Sequence, residues 1–145
     1  MTSGKEKIIP ILAMAVLIIG IISTIYVNAN ENKEELQEKI IIINGNQYSF
    51  TELNNLFQNI TIETDDGEKI GLPLEKIILF SGVNCPTCNR YTFIARDPYQ
   101  QTALWKDIKT GILTFDNEHK IRVYFPNLAH TFWIYNLKEI EVNEL

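Results

Sequence analysis

The sequence predicts a β-rich α+β domain preceded by one N-terminal transmembrane helix. Residues 8–29 form an apolar run without a charged side chain, about as long as the roughly 20 residues that a helix needs to span a bilayer. After it, short β-branched and alternating segments follow one another between turn signals, with only two or three short helices. We therefore expect a cytoplasmic N-terminus (1–7), the anchor (8–29), a polar spacer (30–38) and a β-rich domain (39–145).

The N-terminal segment also predicts where the domain resides. Lys5 and Lys7 precede the apolar run, and positively charged flanks remain in the cytoplasm. The prediction is a single-pass protein of the cell membrane with its C-terminal domain outside the cytoplasm. A cleaved signal peptide is the alternative, because Val27-Asn28-Ala29 resembles a small-residue cleavage site. Both interpretations export the domain.

The charge of the exported part limits its partners. From Asn30 onward it contains 11 Lys+Arg and 17 Asp+Glu, with no basic cluster. Nucleic-acid binding requires a basic face, and anionic lipid head groups attract basic segments. The expected partners are therefore the membrane, through the N-terminal helix, and a protein at the membrane surface, but no nucleic acid.

The first half of the domain predicts two hairpins and two helices. Residues 39–43 are β-branched and lead into Asn44-Gly45, a strong hairpin signal. Ser49 and Glu52 have the spacing of a capping box for a helix. A strand at 59–64, the Asp65-Asp66-Gly67 turn, a strand at 68–72 and a helix from Pro73 to a stop at Gly82 follow.

The second half predicts mostly strands. The expected strands are 91–95, 99–105, 112–115, 120–125 and 132–142, with a short helical or turn segment at 107–110. Ten aromatic side chains in this half are expected to fill the core, with a ligand-stacking cleft as the alternative: Tyr91, Phe93, Tyr99, Trp105, Phe115, Tyr124, Phe125, Phe132, Trp133 and Tyr135. Because both faces of "TFWIYNL" are largely apolar, this strand is either buried or has one face reserved for a partner.

An ordered set of short motifs between Gly71 and Val142 resembles a known family. "GLPLEKII" with the following "SGV" is similar to "GVPLxxLLxxAGV", "YTFIA" with "DPY" to a strand followed by "DGY", and "KIRVYFPNLAHTFWIYNLKEIEV" to "PLRLVVPxxYGxKWVKxLxxIEV". These are motifs of the sulfite-oxidase-like domain, also called the oxidoreductase molybdopterin-binding domain. The resemblance implies a mixed β-rich fold that, in active relatives, holds a molybdenum–pterin cofactor.

The chain departs from this family at the cofactor site. Active members ligate molybdenum through a cysteine before the "GVPL" helix, and "NITIETDDGEKI" has none; thiolate is the soft ligand that such a metal uses. The basic residues and the glycine expected near the pterin phosphate are missing from residues 127–132. The resemblance therefore implies a reduced domain without cofactor or catalysis, whose function is to bind a partner. The alternative is a domain that still holds a pterin or another small ligand non-covalently in the ancestral cleft.

Cys85 and Cys88 in "CPTC" are the two cysteines of the chain and leave three interpretations open. In an exported domain the pair is expected to form a local disulfide, which is the favoured interpretation. The alternative is a membrane-tethered thiol–disulfide protein, but no amphipathic helix follows Cys88, as that mechanism requires. The third is a zinc site completed by His119 and His130, whose ten intervening residues exceed the usual three to five.

Overall fold

The computed structural model describes residues 13–26 and 39–145. The chain divides into two compact units, Met1–Leu36 and Gln37–Leu145. In the first unit, residues 13–26 form helix α1, and all of its side chains are exposed.

The predicted transmembrane helix is corrected by the structure. Within residues 13–26 and 39–145, no helix is both long enough and apolar enough to cross a membrane. The ends of the predicted anchor, residues 8–12 and 27–29, lie outside the described residues, as do the predicted N-terminus and spacer.

The second unit contains two β-sheets. The first has five strands in the order β2-β1-β9-β5-β6; β1 and β9 pair in parallel and the other neighbours are antiparallel. Its strands are β1 (Ile40–Ile43), β2 (Asn46–Ser49), β5 (Asn89–Ala95), β6 (Gln100–Leu104) and β9 (Leu137–Glu144). The second is antiparallel and has the order β3-β4-β7-β8, with β3 (Ile60–Thr64), β4 (Gly67–Pro73), β7 (Ile112–Phe115) and β8 (Ile121–Tyr124).

Three short helices complete the domain. They are α2 (Phe50–Leu56), α3 (Leu74–Phe80) and α4 (Trp105–Ile108), and 3-10 turns lie at Pro86–Cys88 and His130–Phe132. One hydrophobic core joins both sheets and the helices. Its largest fully buried side chains are Tyr91, Phe93 and Phe125.

The predicted fold class is wrong. Residues 39–145 form a small mixed α/β domain with two sheets, rather than a β-rich domain of sulfite-oxidase-like type behind a membrane helix. The physical reason is that alternating apolar and polar residues predict that a segment is a strand, but they do not predict which other strand will pair with it. The parallel pairing of β1 with β9 joins residues 42–43 to residues 139–140, and no local pattern predicts that contact.

Most of the local turn and cap predictions are confirmed. Asn44 and Gly45 have φ of 50° and 76°, as a tight hairpin turn requires, and the Ser49 side chain accepts a hydrogen bond from the Glu52 amide. The last predicted strand is the exception. A 3-10 turn occupies the start of the predicted range 132–142, and β9 begins only at Leu137, because Asn136 adopts φ of 59° and interrupts the extended chain.

Asp116 organises the turn between β7 and β8. One oxygen of its carboxylate accepts hydrogen bonds from the amides of Glu118 (2.9 Å) and Lys120 (2.8 Å), and the other accepts one from Arg122 Nε. Burial alone raises the pKa of Asp116, but the hydrogen bonds from the Lys120 amide and from Arg122 outweigh burial and hold the pKa below its ordinary value of 3.8. The charged form is therefore favoured in the folded protein.

We expect Asp116→Asn to destabilise the domain by about 1–3 kcal/mol at pH 7, because it removes charge-assisted hydrogen bonds. Since the folded-state pKa of Asp116 is depressed, its contribution is fully present above the unfolded pKa and is lost as the pH falls through the folded pKa. Urea unfolding at pH 7 and at pH 3 should therefore show a difference between wild type and variant that shrinks in acid. Asn117→Ala, at the exposed neighbouring position, is the control. If it lowers the free energy of unfolding as much as Asp116→Asn does, the Asp116 carboxylate does not have the stabilising role assigned to it.

Candidate functional site around the CPTC loop

The CPTC segment forms an exposed loop between α3 and β5. Cys85 and Cys88 are joined by a disulfide, with their Cα atoms 5.3 Å apart, and both residues are exposed. The prediction that this stretch connects a helix end to a strand start is confirmed, since α3 ends at Phe80 and β5 begins at Asn89.

Hydrogen bonds hold the loop independently of its sulfur atoms. The Asn89 side-chain amide donates to the carbonyls of Asn84 (3.1 Å) and Cys85 (3.0 Å). The Tyr91 hydroxyl, whose pKa is raised by burial, donates to the Pro86 carbonyl at 2.9 Å. The Leu145 amide donates to the Cys88 carbonyl at 2.9 Å. Four backbone carbonyls between residues 84 and 88 therefore accept hydrogen bonds from β5 or from Leu145, and none of these bonds involves a sulfur atom.

The backbone of the loop differs from that of a thiol-activating helix. Cys85 has φ of 49° and ψ of 69°, a left-handed conformation, and the turn that follows is a 3-10 turn of three residues. A helix that begins at the first cysteine lowers its thiol pKa through the backbone amides of its first turn. No α-helix begins at either cysteine here, because the chain passes directly from the turn into β5.

An open cavity of about 400 Å³ lies beside the loop. Its floor includes Trp105, which is only 9% exposed, whereas Leu104 at its edge is 42% exposed. The remaining lining comes from the loop, from α4 and from the chain after β9: Thr87, Asn89, Lys106, Lys109 and Leu145. Lys106 and Lys109 are exposed, and within the described residues neither takes part in an ion pair. We call this the Trp105 cavity.

The Trp105 cavity lies at the end of an edge strand. β6 pairs with β5 on one side and is the last strand of the five-stranded sheet. The Leu104 amide donates to the Asp107 carboxylate at 3.3 Å, so it faces away from β5. Because amides alternate in direction along an antiparallel strand, those of Thr102 and Gln100 face the same open edge.

The structure separates the two histidines that were considered as zinc ligands. His119 lies in the turn between β7 and β8 with φ of 62°, next to the Phe115 ring. His130 stacks on Trp133 with ring centroids 4.0 Å apart, and its Nε2 is 4.0 Å from Asp66 Oδ1. Among residues 13–26 and 39–145, no group of three or more His, Cys, Asp or Glu side chains is placed to hold a metal. Cys85, Cys88, His119 and His130 are therefore not brought together.

The sequence did not distinguish the aromatic residues that line cavities from those that fill the core. Tyr91, Phe93, Phe125 and Trp133 are buried as expected, but Tyr99 and Tyr135 are 40% and 48% exposed. The available signal was the apolar character of both faces of "TFWIYNL", which indicated either a buried strand or one with a face reserved for a partner. Nothing in the local pattern distinguished Trp105 from an ordinary core residue.

No protein-family model and no curated protein matches the chain. The resemblance to the sulfite-oxidase-like domain therefore stays a prediction.

We expect Asn89→Ala to loosen the CPTC loop, because it removes two hydrogen bonds of a buried side chain, each worth roughly 0.5–1.5 kcal/mol. Urea unfolding of the oxidised protein should show a loss of about 1–2 kcal/mol, and hydrogen exchange at the Cys88 amide should accelerate. Asn84→Ala is the matched control, since only the backbone carbonyl of Asn84 accepts from Asn89. Equal losses in the two variants would show that the Asn89 amide does not hold the loop.

Proposed function

We propose that the domain binds a protein partner and has no catalytic activity of its own. The observation that carries the proposal is the Trp105 cavity: an aromatic floor, an exposed Leu104 and two lysines at the end of the open edge of β6. Pockets with an apolar lining and a few polar groups are the usual form of a binding site.

The partner that fits this surface is an extended peptide segment with one apolar side chain between acidic residues. Its backbone would pair with the amides of Thr102 and Gln100, as peptides add to the open edges of sheets. The apolar side chain would enter the cavity against Trp105. Lys106 and Lys109 would face the acidic residues, which would favour this partner over a basic one.

The location of this binding outside the cytoplasm is part of the proposal. It rests on the lysines before the apolar N-terminal run and on Val27-Asn28-Ala29, which resembles the cleavage site of an export signal. The absence of a molybdenum-ligand cysteine from "NITIETDDGEKI" supports binding rather than cofactor chemistry.

The proposal is tested with synthetic hexapeptide arrays probed with the full-length protein. Peptides with a central Leu flanked by Asp and Glu should bind more tightly than peptides with flanking Lys or with a central Ser. Lys106→Glu should weaken binding to the acidic set roughly tenfold, since charge reversal in such a contact costs about 1–2 kcal/mol. Lys76→Glu makes the same charge reversal at an exposed position of α3 and should leave binding unaltered. Equal binding of all three peptide sets would refute the proposal.

A second candidate function is thiol–disulfide exchange at Cys85 and Cys88. It is favoured by the exposure of both residues and by the hydrogen bonds that fix the loop without using the sulfur atoms. A partner dithiol would supply the electrons: its first thiolate attacks one sulfur and releases the other as a thiolate, and its second thiol then displaces this protein. The partner becomes a disulfide and the pair becomes a dithiol, with two electrons transferred.

The reduction potential of the pair distinguishes these functions. Structural disulfides have potentials below about −300 mV, whereas oxidoreductases lie between about −270 and −120 mV. We expect a value in the structural range, because no α-helix stabilises a thiolate at either cysteine. Equilibration with dithiothreitol mixtures, followed by alkylation and mass measurement, provides the value. A potential in the oxidoreductase range, with reduction of insulin by the dithiol form, would establish the second function instead.

A further inference from the structure

A second cavity, of about 260 Å³, lies away from the CPTC residues and is lined by Asp97, Tyr99, His130, Trp133 and Tyr135. Four of these five side chains are aromatic. Tyr99 and Tyr135 are 40% and 48% exposed, whereas Trp133 is only 3% exposed. Two tyrosines thus form the open walls, and Trp133 lies beneath His130 at the base. We call this the tyrosine cavity.

Hydrogen bonds fix the Tyr99 wall and the base of the tyrosine cavity. The Tyr99 hydroxyl donates to the Thr131 carbonyl and accepts from Gln101 Nε2 at 3.0 Å. Trp133 Nε1 donates to the Phe125 carbonyl at 3.1 Å. Because these polar atoms already have partners, the rings offer mainly their π-faces to a ligand, and little side-chain freedom remains to be lost on binding.

The charges around the tyrosine cavity favour a cation. The faces of aromatic rings carry partial negative charge, the Asp97 carboxylate lines the cavity, and Asp66 lies 4.0 Å from His130 Nε2. Arg122 contacts the Tyr135 wall, with its guanidinium carbon 4.8 Å from the ring centroid, and the His130 imidazole also lines the cavity.

Arg122 itself illustrates the interaction that a ligand would make. Its positive charge is paired with Asp116 and with Glu118, whose carboxylate is 3.7 Å away, so its repulsion of a second cation is reduced. It occupies a position over the Tyr135 ring typical of a cation–π contact. Arg122 does not line the tyrosine cavity, so it contacts the Tyr135 ring from outside the cavity.

We propose that the tyrosine cavity binds a small alkylated ammonium ion, with Tyr99 and Tyr135 as its walls and Asp97 as its counter-ion. Aromatic walls recognise this class of ligand because its charge is spread over apolar methyl groups. A metal ion is not the expected ligand, since no group of three or more metal-ligating side chains exists among the described residues. Peptide docking at the Trp105 cavity uses other residues, so either proposal can fail without the other.

The test compares choline with its neutral isostere 3,3-dimethylbutan-1-ol on the full-length protein. The chain has two tryptophans, so the indole N–H resonances of Trp133 and Trp105 report the two cavities separately once Trp105→Phe has assigned them. Choline should shift the Trp133 resonance saturably and leave the Trp105 resonance in place. The alcohol should bind about tenfold more weakly or worse, the difference that removal of a desolvated cation–π contact makes.

Two substitutions test the assigned roles. Asp97→Asn and Tyr135→Leu should each weaken choline binding about three- to tenfold, measured by calorimetric titration. Glu141→Gln, an acidic residue at an exposed position of β9, is the control and should bind as wild type does. The proposal is overturned if the alcohol binds as tightly as choline, if Trp105 responds instead of Trp133, or if Asp97→Asn leaves the affinity unaltered.

Discussion

The structure depends on strand β9, because it is the only described strand that joins the two hairpins of the five-stranded sheet. It pairs in parallel with β1 and antiparallel with β5, and its Leu137 and Ile140 are completely buried. Isolated two-stranded hairpins are at best marginally stable in water, so β1–β2 and β5–β6 need this strand between them. Residues on either side of β9 also line the two cavities: Tyr135, before the strand, lines the tyrosine cavity, and Leu145, after it, lines the Trp105 cavity.

The two cavities share this strand but differ in charge. Lysines border the Trp105 cavity, whereas the Asp97 carboxylate and ring faces line the tyrosine cavity. Electrostatic complementarity determines which ligand a site accepts more than it determines how tightly that ligand binds. In the two proposals, a domain with an overall negative charge offers one local site to an acidic partner and one to a cation. Neither proposed site uses a metal or a reactive thiol.

Local chemistry was predictable from the sequence, whereas long-range pairing was not. The Asn44-Gly45 turn and the Ser49 cap are encoded within four residues, so their backbone geometry followed from residue type. The pairing of Ile42 with Glu139 depends on the whole core, and the fold class was wrong for that reason. The cavities were missed for a related reason: the sequence shows that Tyr135 and Trp105 are apolar, but neighbours distant in sequence determine which ring face remains uncovered.

The parallel pairing of β1 with β9 has a consequence for the synthesis of the protein. The paired residues are about a hundred positions apart, and closing so long a loop is entropically costly and slow. While the chain emerges from the ribosome, β1 and β2 exist without their neighbour, and the edge of β1 is open to pairing with other chains. The five-stranded sheet closes only once β9 has been made, so a ribosome stalled shortly before Leu137 would hold a chain in which that sheet cannot form.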